Sequence, residues 1–247
     1  MRLSILASSS DGNAALVWDE EVTVLVDAGI SKRRLLTLKR KVGCEHHVDM
    51  ILVSHSHADH CEHARKLSEY WQCPTLCSLD TRKAIMDAEW GPFYMEPGKR
   101  YQVDRREECF TVEGVPVQHI NGSFGFVIRK GEKAVGIFND LGALVGVRDV
   151  IADLHVLAID CNYSVAMLME SKYDDSLKKR LMAGYGHLSN DQVRDLLRDH
   201  PHPKLHTIVP LHLSKHNNLP MLAEQAIRAG DPRVCVVMGE TPFTMEI

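Results

Sequence analysis

The hexapeptide His55-Ser56-His57-Ala58-Asp59-His60 puts three imidazoles and a carboxylate side by side, directly after an apolar run that ends at Val53. In an extended loop, residues two apart point the same way, so His55 and His57 can grip one ion. Asp59 and His60 fall at the start of a following helix and turn towards a neighbouring position. Imidazole nitrogens and carboxylate oxygens suit zinc, manganese or iron. The spacing therefore offers ligands to two adjacent ions, the arrangement used by two-metal hydrolases. The competing reading, an exposed charged loop, sits poorly with a position straight after a buried strand. The chain has 14 histidines in all, several clustered beside acidic residues. His63 reads as a solvated residue of the same helix.

The elements that must position this cluster can be read from the pattern around it. Short strands are predicted at Arg2 to Ala7, Ala14 to Trp18 and Val22 to Val26, where β-branched and apolar residues are separated by turn residues. Ser31 reads as the cap of a basic helix running to about Lys41. Met50 to Val53 reads as a buried strand, followed by the histidine loop and a helix to about Tyr70. The stretch from about Tyr101 to Phe138 is strand-rich, with turns expected at Gly114, Gly122 and Gly131. Ser189 and Gln192 form a capping box for a helix with Val193, Leu196 and Leu197 on one face. Strands near Leu205 to Val209 and Val234 to Met238, with a helix between them, close the chain. Two packed sheets with outer helices satisfy this order, and so does a doubly wound sheet; periodicity does not separate them.

Composition bounds the function. The 247 residues suit one large domain or two small ones, and 45% apolar with 25% charged residues is the balance of a globular protein with a core. The net charge of −4 excludes a broad basic coat for nucleic acid and leaves room for a local patch. No apolar run approaches the roughly 20 residues of a membrane span. The apolar stretch after Arg2 stops at Ala7, so no signal peptide is expected. Seven cysteines without regular spacing predict reduced thiols and a cytoplasmic protein. Cys73 and Cys77 read as two buried thiols near a strand, since no second pair completes a zinc knuckle.

His55-x-His57-x-Asp59-His60 resembles the signature of the metallo-β-lactamase superfamily, and the resemblance runs through the whole chain in order. Val24-Leu25-Val26-Asp27-Ala28-Gly29 resembles its first motif. His119 falls where a third ligand of the first metal is expected. Asp140 in Phe138-Asn139-Asp140-Leu141-Gly142 resembles the bridging aspartate, and His212 in Leu211-His212-Leu213-Ser214 the final metal histidine of nuclease-type members. Ser10-Asp11-Gly12-Asn13, Gly186-His187-Leu188-Ser189-Asn190 and Asn217-Asn218 are similar to the YycJ (WalJ) group, itself similar to ribonuclease Z in its second half. Two positions depart from the pattern: Ile120-Asn121 stands where an Asp-Ala pair is usual, and Asp160-Cys161-Asn162-Tyr163 where Glu-Ala-Asn-His is frequent.

The resemblance implies a single αββα sandwich over residues 1–247 and two divalent ions, zinc first, with manganese and iron as alternatives. It implies His55, His57 and His119 on the first ion, Asp59, His60 and His212 on the second, and Asp140 shared. Asp27 would orient a ligand histidine or pin the metal loop. Two cations lower the pKa of a shared water from about 15.7 towards about 7. Asp59, His187 and Asp160 are the catalytic candidates, with His187 facing the scissile phosphate and Asp160 orienting it. Ser189 and Asn190 at a helix N-terminus, and Lys32 and Arg33 on the basic helix, are candidate phosphate contacts; a solvated face is an equal reading of that helix. The implied activity is phosphodiester hydrolysis, with DNA as the expected polymer. Rival readings are a small-molecule phosphodiesterase acting on a cyclic nucleotide or phosphonate ester, a thioester or lactam hydrolase, and a metal-binding adaptor without catalysis. Asp140 and His187 are too close in sequence for the inserted domain of CPSF-like ribonucleases, and no Gly-rich tRNA arm is seen. Metal identity, exonuclease polarity and oligomeric state stay open.

Overall fold

The computed structural model describes residues 1–103, 109–238 and 241–247. Its strands are, in chain order, β1 (Arg2–Ala7), β2 (Ala14–Trp18), β3 (Thr23–Val26), β4 (Met50–Leu52), β5 (Thr75–Cys77), β6 (Phe93–Tyr94), β7 (Arg100–Gln102), β8 (Thr111–Pro116), β9 (Phe124–Lys130), β10 (Lys133–Phe138), β11 (Val156–Asp160), β12 (Thr207–Leu211), β13 (Cys235–Val236) and β14 (Phe243–Glu246). The helices are α1 (Lys32–Lys41), α2 (Ala58–Cys61), α3 (Ala64–Trp71), α4 (Leu79–Ile85), α5 (Val147–Val150), α6 (Val165–Glu170), α7 (Asp175–Met182), α8 (Asn190–Asp199) and α9 (Pro220–Gly230). Among the described residues, no helix is long and apolar enough to cross a membrane.

The chain divides into two compact units. The first comprises Met1–Val115, Gly122–Lys133 and the C-terminal segment ending at Ile247. Its sheet runs β14-β1-β2-β3-β4-β5-β6, antiparallel as far as β3 and parallel from β3 onward. Strands β2, β3 and β4 are buried along their whole length, which is why they read as unbroken apolar runs rather than alternating ones. Leu16, Trp18, Leu25, Ile51 and Val53 form a core with Leu35 of α1 and Leu67 of α3. The indole of Trp18 donates to Ser4 Oγ (2.9 Å), so its one polar atom is satisfied inside that core.

The second unit comprises Pro116–Asn121 and Ala134–Met238. Strands β10, β11, β12 and β13 lie in that order and are parallel. The apolar face of α8 is buried through Val193, Leu196 and Leu197, and α9 buries Ala223 and Ile227. Ser189 caps α8 with the reciprocal Gln192 bond that the sequence predicts.

Several expectations change in detail. The helix predicted to Tyr70 is two helices, α2 and α3. The amide of His63 is drawn to the carbonyl of Ala28 (3.0 Å), which interrupts the i to i−4 ladder between them. Gly114 lies inside β8 and makes no turn; a Cβ there would stand 2.6 Å from the Phe124 ring, so the glycine serves close packing. Gly122 and Gly131 do have the left-handed backbone of turns. The last predicted strand shortens to Cys235–Val236, and β14 follows it. Strand β11 and helices α4 to α7 were not legible in the pattern. Cys73 and Cys77 are both buried, and burial pushes each thiol up to about 12.

Asp231 ends α9, where the helix dipole disfavours a carboxylate. The Arg233 guanidinium (2.6 Å) and the His202 ring (2.8 Å) offset this and hold the Asp231 carboxyl well below the usual carboxylate range, against the opposing effect of burial. A depressed folded-state pKa contributes stability above the unfolded value of about 4 that is lost as pH falls. Urea unfolding of wild type and Asp231→Asn between pH 3 and pH 6 should give stability curves that converge towards low pH. Parallel curves would remove the pair from the acid sensitivity of the protein.

Candidate metal centre

In the first unit, the site grows from the C-terminal ends of the parallel strands β3 and β4, where open α/β sheets present ligand-binding groups. Asp27 follows β3 in a left-handed backbone (φ 63°) that aspartate tolerates better than most residues. Its side chain is fully buried. Oδ1 accepts from the amide of Ser54 (2.8 Å), just past the end of β4, and Oδ2 accepts from His60 Nδ1 (2.7 Å). Burial alone would push this carboxyl up; the charge and hydrogen bond of His60, with the Ser54 amide, outweigh it and hold the pKa below the usual range. Asp27 thereby keeps the proton of His60 on Nδ1, so Nε2 is the nitrogen that could act as a ligand atom.

The rest of the loop is held by backbone contacts. Asp59 O accepts from the amide of Asn13 (2.8 Å), whose own carbonyl accepts from Gly29 N (3.0 Å). A Cβ on Gly29 would fall 1.6 Å from Asp59 O, so no other residue fits. His57 caps α2 in extended conformation, and Asp59 and His60 lie within that helix. His55 is buried and its Nε2 stands 2.9 Å from His57 Nδ1. Ser54 Oγ lies 3.0 Å from His55 Nδ1 and 3.2 Å from His60 Nδ1. Asp59 Oδ2 is 3.4 Å from His60 Nε2. His55, His57, Asp59 and His60 thus lie together around one loop, and Asp27 is hydrogen-bonded to one of them, His60.

The second unit builds its set in the same way. Asp160 ends β11, fully buried; its Oδ2 accepts from the amide of Leu141 (2.9 Å), just beyond the neighbouring strand β10, and from His187 Nδ1 (2.9 Å). Asp140 (φ 49°) and His212 (φ 55°) follow β10 and β12 in left-handed backbone. Asp140 Oδ1 stands 3.7 Å from His212 Nε2 and 3.9 Å from His187 Nδ1, and Oδ2 stands 3.9 Å from His119 Nε2. Donor atoms of Asp140, His187 and His212 all lie within 4.8 Å of one another. The His187 and His212 rings stack at 4.8 Å and 16°. His119 Nδ1 donates to Gly186 O (3.2 Å), which leaves Nε2 to face Asp140.

Not every candidate is used as expected. Ser189 spends its hydroxyl on the capping box, and its amide donates to Gln192 Oε1. Asn190 is buried; its amide pairs with Asn218 (2.9 Å both ways) and its backbone N donates to Tyr163 O. Their polar groups serve structure, and the phosphate contacts expected of them have little left to work with. Lys32 and Arg33 are exposed on α1 as expected.

Sequence reasoning gave no role to Asn13, whose Nδ2 lies 2.9 Å from His60 Nε2, or to Asn162, whose Nδ2 donates to His212 O (2.6 Å). Both sit in stretches that carried the resemblance; their short amide side chains, beside a glycine turn and a strand end, are the signal available. Asp27→Asn keeps the size and tolerates the same backbone, so it isolates the charge. Zinc affinity by competition titration should fall about 10- to 100-fold. An unchanged affinity would show that the carboxylate does not set the basicity of His60.

Comparison with known proteins follows from this geometry. The family model described as "Beta-lactamase superfamily domain" matches residues 22–213. The exodeoxyribonuclease YycJ of Bacillus anthracis is 25% identical over 232 residues, covering 92% of this chain and 88% of the relative. The metallo-β-lactamase fold protein YhfI from Bacillus subtilis superposes with a TM-score of 0.75 at 14% identity, over 99% of this chain and 98% of the other. Human tRNase Z, short form, superposes with a TM-score of 0.66 at 15% identity over 100% and 99%. The overall architecture is therefore the one that the residues around His55 predict.

Proposed function

We propose a function from one premise: the chain belongs to the β-lactamase superfamily and has the metallo-β-lactamase fold. It is a hydrolase of that family, and the finer reading is a dinuclear metal-dependent phosphodiesterase acting on DNA, the whole chain working as one domain. His55, His57 and His119 would hold one ion and Asp59, His60 and His212 the other, with Asp140 shared. The donor set fits a borderline cation such as zinc: imidazole nitrogens predominate, and His60 and His119 each have the non-ligating nitrogen already tied to an acceptor. Two divalent ions held there would supply an acidified water and neutralise charge on the reacting phosphate.

The chain's own groups supply the rest. The observation that carries the reading is the Asp160–His187 pair beside Asp140 and His212. Asp160 fixes the proton on Nδ1 of His187, so Nε2 is the nitrogen that would hold or deliver a proton to the substrate. A histidine so oriented suits protonation of the departing alkoxide, a step that a thioester does not need, because its thiolate leaves unaided. Asp59, partly exposed on α2, can accept a proton from an incoming water. Lys32 and Arg33 on α1 supply cations for a polyanion. The exodeoxyribonuclease name of the relative supports DNA as the polymer over a small phosphodiester.

The test pairs bis-p-nitrophenyl phosphate with end-labelled double-stranded DNA. Wild type should cleave both, lose activity to a chelator and regain it with zinc or manganese. His57→Ala should abolish turnover. On DNA, whose alkoxide leaving group needs a proton, His187→Ala should lower kcat by about 10²- to 10⁴-fold with KM little changed, the range of a general acid; on bis-p-nitrophenyl phosphate, whose nitrophenolate leaves unaided, the loss should be much smaller. Cleavage of a thioester or lactam without any phosphodiester turnover would overturn the substrate class.

A further inference from the structure

A cavity of about 550 Å³ opens in the first unit between the second half of α1, the segment from Cys44 to His47 and the end of α3. Leu36, Lys39, Arg40, His46, Tyr70 and Trp71 form much of its wall. Lys39 is buried: its ammonium donates to His46 O (2.8 Å) and Cys44 Sγ (3.2 Å) and lies 5.8 Å from the Trp71 ring centre. A lysine held this way puts a fixed positive charge into the cavity floor. Tyr70, half exposed, meets Trp71 edge-on at 5.4 Å and has Lys32 Nζ over its ring at 4.3 Å. Tyr70 thus offers ring surface to solvent while Trp71 is partly buried against the core, and each ring has a cation beside it.

Charge points the same way. Helix α1 reads Lys-Arg-Arg-Leu-Leu-Thr-Leu-Lys-Arg-Lys, with no acid, and Lys32, Arg33, Arg34, Arg40 and Lys41 are exposed. A face of cations running past an exposed aromatic ring, here Tyr70 beside the partly buried Trp71, is the pattern by which proteins hold single-stranded nucleic acid, with phosphates along the cations and bases on the ring. Glu45 is the one carboxylate lining the cavity, at its exposed rim, and can accept from the amino edge of a base. Helix α1 starts just after the Asp27 loop and rises about 15 Å over its length. The cavity lies along the second half of that helix and the end of α3, which itself begins four residues after His60.

We propose that this cavity binds an unpaired nucleobase, stacked on Tyr70 and bordered by Trp71, with the adjoining phosphates on Arg40 and Lys32. The site is an accessory contact for a single strand and rests on the phosphodiesterase reading for its biological sense. It makes the protein's affinity for single strands local to one face, which accommodates the overall net charge of −4.

The experiment uses a fluorescein-labelled twelve-residue oligothymidylate, anisotropy titrations in EDTA to prevent cleavage, and the full chain. Tyr70→Ala should weaken binding about tenfold, within the range of one lost base stack. Arg40→Gln should reduce the slope of log affinity against log salt by about one. Both substituted residues are exposed, and circular dichroism melts confirm that each variant is folded. The proposal is overturned if Tyr70→Ala binds as wild type does, or if an abasic strand of equal length binds as tightly as the oligothymidylate. Tyr70-dependent binding by a protein that hydrolyses no phosphodiester would sink the enzymatic reading and leave the cavity assignment standing. Phosphodiester turnover with Tyr70-independent binding would do the reverse.

Discussion

A buried carboxylate shared between a backbone amide and a histidine is the interaction that builds the histidine cluster of each unit. Asp27 joins Ser54 N to His60 Nδ1, and Asp160 joins Leu141 N to His187 Nδ1. In each case the carboxylate stands at or just past the end of one parallel strand and the amide just past the end of its neighbour. Burying such a charge is expensive, and only the paired amide and imidazole make it tolerable; removing one partner of a buried pair typically costs about 3–5 kcal/mol. The same arrangement decides which nitrogen of each histidine carries the proton.

That constraint explains where the backbone departs from ordinary geometry. Four residues other than glycine have left-handed φ among the described residues, and three of them are Asp27, Asp140 and His212. Each follows a strand, where the chain must turn its polar side chain back over the sheet end. Left-handed backbone in such residues costs roughly 1–3 kcal/mol, and structures keep it where a specific side-chain direction is worth more. The tight contact of Gly29 with Asp59 O belongs to the same economy: a side chain there would push the metal loop off its seat.

Helices that look interchangeable in composition divide the remaining work. The capping box and amide pairs around Ser189 and Asn190 hold the start of α8 against the segment after β11, and so keep His187 near Asp160. Helix α1, by contrast, buries Leu35 and Lys39 and leaves the rest of its charge in solvent. The former spends its polar groups on structure, while the latter keeps them available for an anionic ligand.

The sequence by itself determined the ligand types and their local order. His55-x-His57-x-Asp59-His60 after an apolar run could be read because its spacing is short, and backbone periodicity alone orients residues two apart. Buried runs such as β3 and β4, and the Ser189 cap, were legible for the same reason. What tertiary structure decided was everything that depends on long-range partners. It drew the amide of His63 to Ala28 and split one predicted helix into two, made Gly114 a packing residue rather than a turn, and consumed the side chains of Ser189 and Asn190. It also brought Asn13 to His60 and Asn162 to His212. These contacts join residues far apart in sequence, where no local pattern records which donor will meet which acceptor; only the packing of strands and helices that brings them within hydrogen-bonding distance can choose among them.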